Sequence, residues 1–455
     1  MKFGLSSPAV TAVTLGAALS AAQCPDYTTY SQSPQGNPST GPLALPYMRP
    51  DPACRTFNST AVEDVIANMT SRLKDPDIAR LFENTFPNTL DTTIKYFNET
   101  ENLAFVITGL AQYHYLYTQD SELATLVKAI INNEARYVSQ YPYCSAFQPP
   151  PESGLSTTVN DWAIDVLVNP PVDNQTVYEC KIMRVIWEQS QPTFDENWNL
   201  VSYYNWTGEA GSLPGAVNNG GNGEPKAYTG LIGTHHRPSD DLCTFAFLTP
   251  ANAMLTVELG YLADILDSAG LASDVSQAAR EYVTNITEAI WEHTLVNNVF
   301  AYETNGFGGR YVMDDANVPS LMSLPYLGFL NKSHPAYVAT SQVLMSRVNP
   351  YYVVGKNFSG IGGPHEDAWN PWPMSLISAI YGTDDDDEIL DYLYLIANNT
   401  DGLGLIHESI DIYDGSYTRP WFAWANSYFS EMLLDLASRK PYLIFNDNET
   451  YVPGQ

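Results

Sequence analysis

The feature that most restricts the fold is a helical repeat of apolar side chains interrupted by long loops. Apolar residues recur at three- and four-residue steps in segments 61–73, 122–137, 251–269, 276–295, 371–381, 385–397 and 421–437. In 251–269 the repeat is Met254, Val257, Leu262, Ile265 and Leu266, which predicts a helix with one apolar stripe. No run of β-branched residues alternates long enough to build a large sheet. Between these segments lie Gly-, Pro- and Asp-rich stretches at 208–237, 304–319, 360–371 and 402–420. Loops of this length inside a compact domain are usually functional or disordered. Two helix-rich halves with long loops on one side predict an all-α toroid of helical hairpins, and 455 residues suffice for one large domain of this kind.

The chain carries a formal charge of -30 and a sequence pI of about 4.3. Such a surface repels phosphate backbones and anionic lipid, which argues against nucleic acid and membrane as partners. Lys2, the short apolar run 9–19, and the small residues Ser20 and Ala22 form a secretory leader, so residues 1–22 are read as a signal peptide. Residues 23–55, rich in Pro, Ser and Tyr, are read as an extended arm, and 56–455 as the catalytic domain. Sequons at Asn58, Asn68, Asn98, Asn174, Asn205, Asn285, Asn331, Asn357, Asn398 and Asn448 agree with an exported, N-glycosylated protein. Of the cysteines at 24, 54, 144, 180 and 243, a Cys24–Cys54 bridge would tie the arm to the domain, and the odd count leaves one cysteine over.

Four loop motifs hold the chemistry. "HHRPSDD", 235–241, sets an arginine and two adjacent carboxylates before a helix. Its plain reading is helix capping by Ser239 and the two Asp residues; a metal site from His235, His236 and an Asp is an alternative. "MDDANVPSL", 313–321, reads as a polar turn ended by Pro319. "GIGGPHEDAWNPWP", 360–373, places His365 near Trp369 and Trp372, whose flat rings suit the apolar faces of sugars. "GLGLIHESIDIYDGSYTRPWFAWAN", 402–426, collects His407, Glu408, Arg419 and Trp421 at the start of a helix, with Trp424 and Phe429 read as core. Ile406 and Ile410 flank Glu408 and imply partial burial, which raises a carboxyl pKa as acid/base catalysis requires. Loop carboxylates, abundant Trp and Tyr and an acidic exported chain point to a glycosidase, an enzyme that needs two carboxyl groups about the scissile bond. The candidates are one of Asp240 and Asp241, with Glu408.

"AFVITG", "RPSDD", "DDANVPSL", "GGPH", "HES" and "TRPWFAWAN" resemble, in order, the motif series of glycoside hydrolase family 125, over about residues 62–443. The resemblance implies an (α/α)6 barrel and an exo-α-1,6-mannosidase that inverts configuration with no metal or other cofactor. Carried over by motif, it implies Asp240 as general acid and Glu408 as general base. It also implies Thr108, Arg237, Asp241, Asn317, His365, His407, Arg419 and Trp421 as substrate-binding residues. The partner so implied is a mannose-containing glycan, met by a monomer.

The chain departs from the family pattern twice. After Gly109 it passes directly to "LAQYHYLYTQD", without the block that carries a Trp-Leu-Arg-Asp-Ser segment. After "VYECK", 177–181, it passes to a segment that lies well downstream in the pattern. Skipped coding sequence or an impaired paralogue would each produce this. The competing readings are a mannan-binding relative without turnover and a calcium-dependent α-mannosidase on a similar barrel.

Overall fold

The computed structural model describes residues 45–55, 57–93, 113, 116–140, 174–203, 217–239 and 241–454. Asp240, Thr108 and Cys24 lie outside them, as does the junction after Gly109, whereas the junction at residues 181–182 lies within them. Helices dominate: α1 Thr60–Arg72, α2 Pro76–Thr85, α3 Ser121–Gln140, α4 Asn174–Ser190, α5 Thr249–Ala269, α6 Ser273–His293, α7 Pro335–Leu344, α8 Pro373–Tyr381, α9 Asp386–Ala397, α10 Ala423–Arg439 and the short α11 Pro441–Ile444. Among the described residues no helix is long and apolar enough to cross a membrane.

Local chemistry sets the helix starts. Ser59 accepts the Val62 N–H at α1, Asp75 those of Asp77 and Ile78 at α2, and Asp385 those of Asp387 and Glu388 at α9. Proline opens α2, α5, α7 and α8, where its missing N–H costs nothing. The periodic segments of the sequence all become helix. Helices α2, α4, α7 and the short α11 are additional to the segments that periodicity marks.

Helix pairs pack in sequence: α1 with α2, α3 with α4, α5 with α6, and α8 with α9 and α10. Helix α10 also packs on α2. Leu73 then pairs with Phe445, and Arg72 holds Asp447 at 2.7 Å, so the last helices close back onto the first. One core cluster joins α1, α2 and α8–α10 through Phe82, Phe86, Ile377, Leu393, Phe429 and Leu433. A second lies under α4–α7 and includes Phe247, Ile290, Phe300, Tyr302, Met313 and Leu344. Each such side chain contributes roughly 1.5–3 kcal/mol of burial.

The apolar stripe expected on α5 is only half right. Met254 and Ile265 face outward, 37% and 64% exposed, while Asn252, Ala253, Thr256, Leu259, Ala263 and Leu266 are buried. Small residues win the inner face because α5 and α6 approach closely there: Ala263 and Ala279 are both fully covered. Asn252 turns inward because its amide bridges the Ile232 and Leu248 backbones.

Strands are short. β1 Phe247–Leu248, β4 Glu303–Thr304 and β5 Arg310–Tyr311 form one antiparallel sheet in the order β1-β4-β5, with Leu248 opposite Glu303. β2 Leu295–Val296 and β3 Val299–Phe300 form a hairpin whose turn residues Asn297 and Asn298 both have positive φ, as a two-residue turn demands. β6 Tyr352–Val354 pairs with β7 Ser359–Ile361. The three-stranded sheet seats Glu303, and β7 leads into the loop of His365.

The described part of the arm lies against the body. Arg49 is buried between Asp91 at 2.8 Å and Glu63 at 2.6 Å. Asn84 accepts the Met48 N–H and donates to the Pro46 and Gly404 carbonyls, joining the arm to the loop that carries Glu408. Cys54 is disulfide-bonded, and Cys243 is free and buried.

Candidate active site

The long loops converge at the starts of α5, α8 and α10. Two walls can be built from them.

The first wall comes from 235–245 and 313–317. Ser239 and Asp241 do not cap a helix, since α5 starts only at Thr249. The Ser239 hydroxyl instead contacts both Asp241 Oδ2 and Asp315 Oδ2 at 2.9 Å. Asp315 also accepts the Asn317 backbone N–H at 2.9 Å and its side-chain amide at 3.2 Å. That fixes Asn317, whose Oδ1 is buried without a hydrogen-bond partner. Arg237 donates through Nε to Glu303 at 2.6 Å, and its guanidinium lies over Tyr302 and Tyr311. Glu303 is fully buried and also accepts the Thr244 and Phe245 N–H groups. This carboxylate carries no sequence signal: it sits in a two-residue strand, far along the chain from Arg237. Burial pushes the Asp241 pKa up; Asp315 adds to the rise, while Ser239, His365 and Arg237 oppose it.

The polar turn 313–321 is largely buried. Asp314 accepts the Leu321 and Met322 N–H groups and shapes the chain around a cis Val318–Pro319 bond. Burial lifts the Asp314 pKa to about 8, so below that it is held as a neutral acid.

The second wall is the loop between α9 and α10. Glu408 is only 1% exposed. Its Oε1 accepts from Arg419 Nη1 at 2.6 Å and its Oε2 from the Thr418 hydroxyl at 3.0 Å. Burial raises its pKa, and Arg419, Thr418 and His365 limit the rise. Arg419 is half-exposed, so the ion pair opens to solvent on one side. His407 lies deeper: Nδ1 is 2.8 Å from the Pro420 carbonyl, and the ring stacks on Tyr417 at 3.9 Å. Burial lowers its pKa. It braces the Glu408 loop from behind. Trp421 donates to Asn88 Oδ1 at 2.7 Å and packs on Met48 and Leu405, which anchors the same loop to the arm.

His365 connects the walls. A ring nitrogen of His365 lies within 4.8 Å of a Glu408 carboxylate oxygen, and Gly363 of the same loop packs against Asp315 of the first wall. Its loop reaches there because Gly363 has no side chain: a Cβ would sit 2.8 Å from Asp315 Oδ2. The aromatic platform expected around His365 divides. Trp369 is 42% exposed, whereas Trp372 is buried, packed edge-on against Phe422 and His365. Trp372 is core because α8 begins at the next residue and turns it inward. His235 and His236 do not join a metal-ligand group among the described residues. The group that does form, His365, Glu366 and Glu408, has ligand atoms within 4.8 Å of one another, a set that sequence reading misses because Glu408 lies on a separate loop.

The arrangement presents a buried, clamped carboxylate facing a histidine, with a second carboxyl wall opposite. It suits acid/base work on a neutral polyol. The family model described as metal-independent alpha-mannosidase (GH125) matches residues 75–182 and 181–434. The chain belongs to this family. It is 42% identical over 482 residues to the meiotically up-regulated gene 157 protein of Schizosaccharomyces pombe (strain 972 / ATCC 24843), covering 92% of this chain and 94% of that one. That match is longer than the whole 455-residue chain, so the relative has internal residues that this chain lacks. The family match itself divides at residues 181–182, the second of the two departures. Among solved structures, a metal-independent α-mannosidase of Streptococcus pneumoniae, in a non-productive complex with α-1,6-mannobiose, superposes with a TM-score of 0.70. Identity there is 24%, over 83% of this chain and 98% of that one. The fold is thus the (α/α)6 barrel, and the small sheets are embellishments of its loops. As a member of this family the chain is a glycoside hydrolase of the α-mannosidase class, with a glycan substrate.

Proposed function

We propose that the protein is an inverting exo-α-1,6-mannosidase that removes terminal mannose from glycans outside the cytoplasm. The observation that carries this reading is Glu408, buried yet held by Arg419 and Thr418 with His365 before it. Arg419 opposes the rise that burial causes in the Glu408 pKa, and that rise strengthens the carboxylate as a base toward water. Asp240 supplies the proton to the departing glycosidic oxygen. Water deprotonated by Glu408 attacks the anomeric carbon from the opposite face, the C–O bond breaks, and configuration inverts. Arg237, Asp241, Asn317, His365 and Arg419 form the polar walls that hold the sugar hydroxyls. His407 and Trp421 position the Glu408 loop. The described sequon asparagines, Asn58, Asn68, Asn285, Asn331, Asn357, Asn398 and Asn448, are all exposed, which supports a glycosylated exported protein.

A second reading is favoured by the divided family match: this chain is an impaired form that binds mannosides and turns them over weakly. The block absent after Gly109 belongs to the sugar pocket in the family pattern.

The test is substitution. Asp240→Asn and Glu408→Gln are each expected to lower turnover of an unactivated α-1,6-mannoside by about a hundred- to ten-thousand-fold while the melting temperature holds. A rate near that of the parent in either variant removes that residue from the mechanism.

A further inference from the structure

The group formed by His365, Glu366 and Glu408 is absent from the hydrolytic scheme as a unit, although it rests on the reading of Glu408 as the base. We propose that these three side chains form a transition-metal site whose occupation blocks hydrolysis. The donor set is one imidazole and two carboxylates, both of them ligand types that zinc accepts. Zinc bonds of about 2.0–2.2 Å place tetrahedral donors roughly 3.4 Å apart. The three ligand atoms already lie within 4.8 Å of one another, so closing on an ion needs movements of about 1 Å. Two of the three can supply that movement. His365 and Glu366 are half-buried on a loop, while Glu408 is fixed. His365 and Glu366 are partly open to solvent, as is Trp369 on the same loop, so the group can be reached from water.

Charge favours the same conclusion. Glu366 stands as an unfavourable like charge beside Glu408. The half-exposed Arg419 is the cation that offsets it, and its side chain has water to turn into. A divalent ion between the two carboxylates relieves their repulsion more fully. The imidazole sets the selectivity: zinc, cobalt and copper accept nitrogen, whereas calcium and magnesium prefer an all-oxygen shell with more ligands. The metal does not serve the reaction. It takes the lone pair that Glu408 must offer to water, so its effect is inhibition.

The experiment uses the full chain and a binding readout that does not depend on turnover. Cobalt(II) is titrated into the metal-free protein, visible absorption is followed, and zinc is then added. The expected result is saturable visible bands at one cobalt per chain, bleached by zinc and unaffected by magnesium or calcium. Loss of an outer-shell partner alone costs about 10–100-fold in metal affinity, so Glu366→Gln, which removes a ligand, weakens binding by at least about tenfold. The melting temperature of Glu366→Gln reports that it is folded. No cobalt bands in the parent chain, or unchanged binding in folded Glu366→Gln, overturns the site. Hydrolysis of an α-1,6-mannoside is then measured with zinc and with zinc plus chelator. Loss of rate restored by chelator is expected. Cobalt binding with full activity overturns the block and counts against Glu408 as the base, while active enzyme that binds no cobalt overturns only the metal site.

Discussion

The two walls of the site handle buried charge differently. In the first, Arg237 and Glu303 are both almost fully covered, and every further acceptor of Glu303 is satisfied by backbone N–H groups. In the second, Glu408 is equally buried but its arginine is half in water. The first wall is closed on itself and holds shape. The second keeps one exchangeable partner, which a carboxylate that must change protonation state requires. An arginine–glutamate pair therefore reads as scaffold or as chemistry according to whether solvent reaches one partner.

The largest effect that could break this contrast is on stability. Arg237→Met leaves Glu303 buried without its cation, and is expected to destabilise the fold by about 3–5 kcal/mol in denaturant unfolding. Arg419→Met is expected to cost about 1 kcal/mol or less, because its pair meets solvent and Glu408 can take up a proton. Equal losses in the two variants would erase the distinction between the walls.

Next in size is the effect of the two missing blocks. Restoring them from the genomic sequence is expected to raise turnover by about 100-fold, since misplacing the bond relative to the carboxyl pair costs that much. The melting temperature should rise with it. Equal rates and equal melting in the two forms would show that the departures are tolerated.

A smaller effect is a shift in pH dependence. Glu408 must be ionised to act as base, so rate is lost as pH falls through its raised pKa. Arg419 is a cause that lowers this pKa. Arg419→Met therefore moves the acid limb of kcat/KM to higher pH. A limb that stays in place, or moves to lower pH, means another group governs it.

Much of the fold was legible because helix periodicity is local. The segments around α1, α3, α5, α6, α8, α9 and α10 lie within a few residues of their observed bounds. Helix α2 escapes because it is short and follows α1 across a proline. The inward face of α5 escapes because close approach favours Ala and Thr over Met and Ile, a property of the partner helix. In the site, the burial of Glu408 follows from its neighbours Ile406 and Ile410, both covered. The Arg237–Glu303 pair, the Ser239–Asp315 contact and the His365–Glu366–Glu408 group join separate loops, and no local pattern encodes them. Trp372 reads as a sugar platform in sequence and is core in the structure, since the α8 start decides which way it points.

The central claim is that two carboxyl groups work on opposite faces of the mannose, with Glu408 delivering water. Its most direct test is the anomer first released from an α-1,6-mannoside, followed by proton NMR at enzyme concentrations high enough that release outpaces mutarotation. The account requires β-mannose to appear first and the α anomer to grow in afterwards. Initial release of α-mannose would contradict it, because retention demands a covalent intermediate and a different role for Glu408.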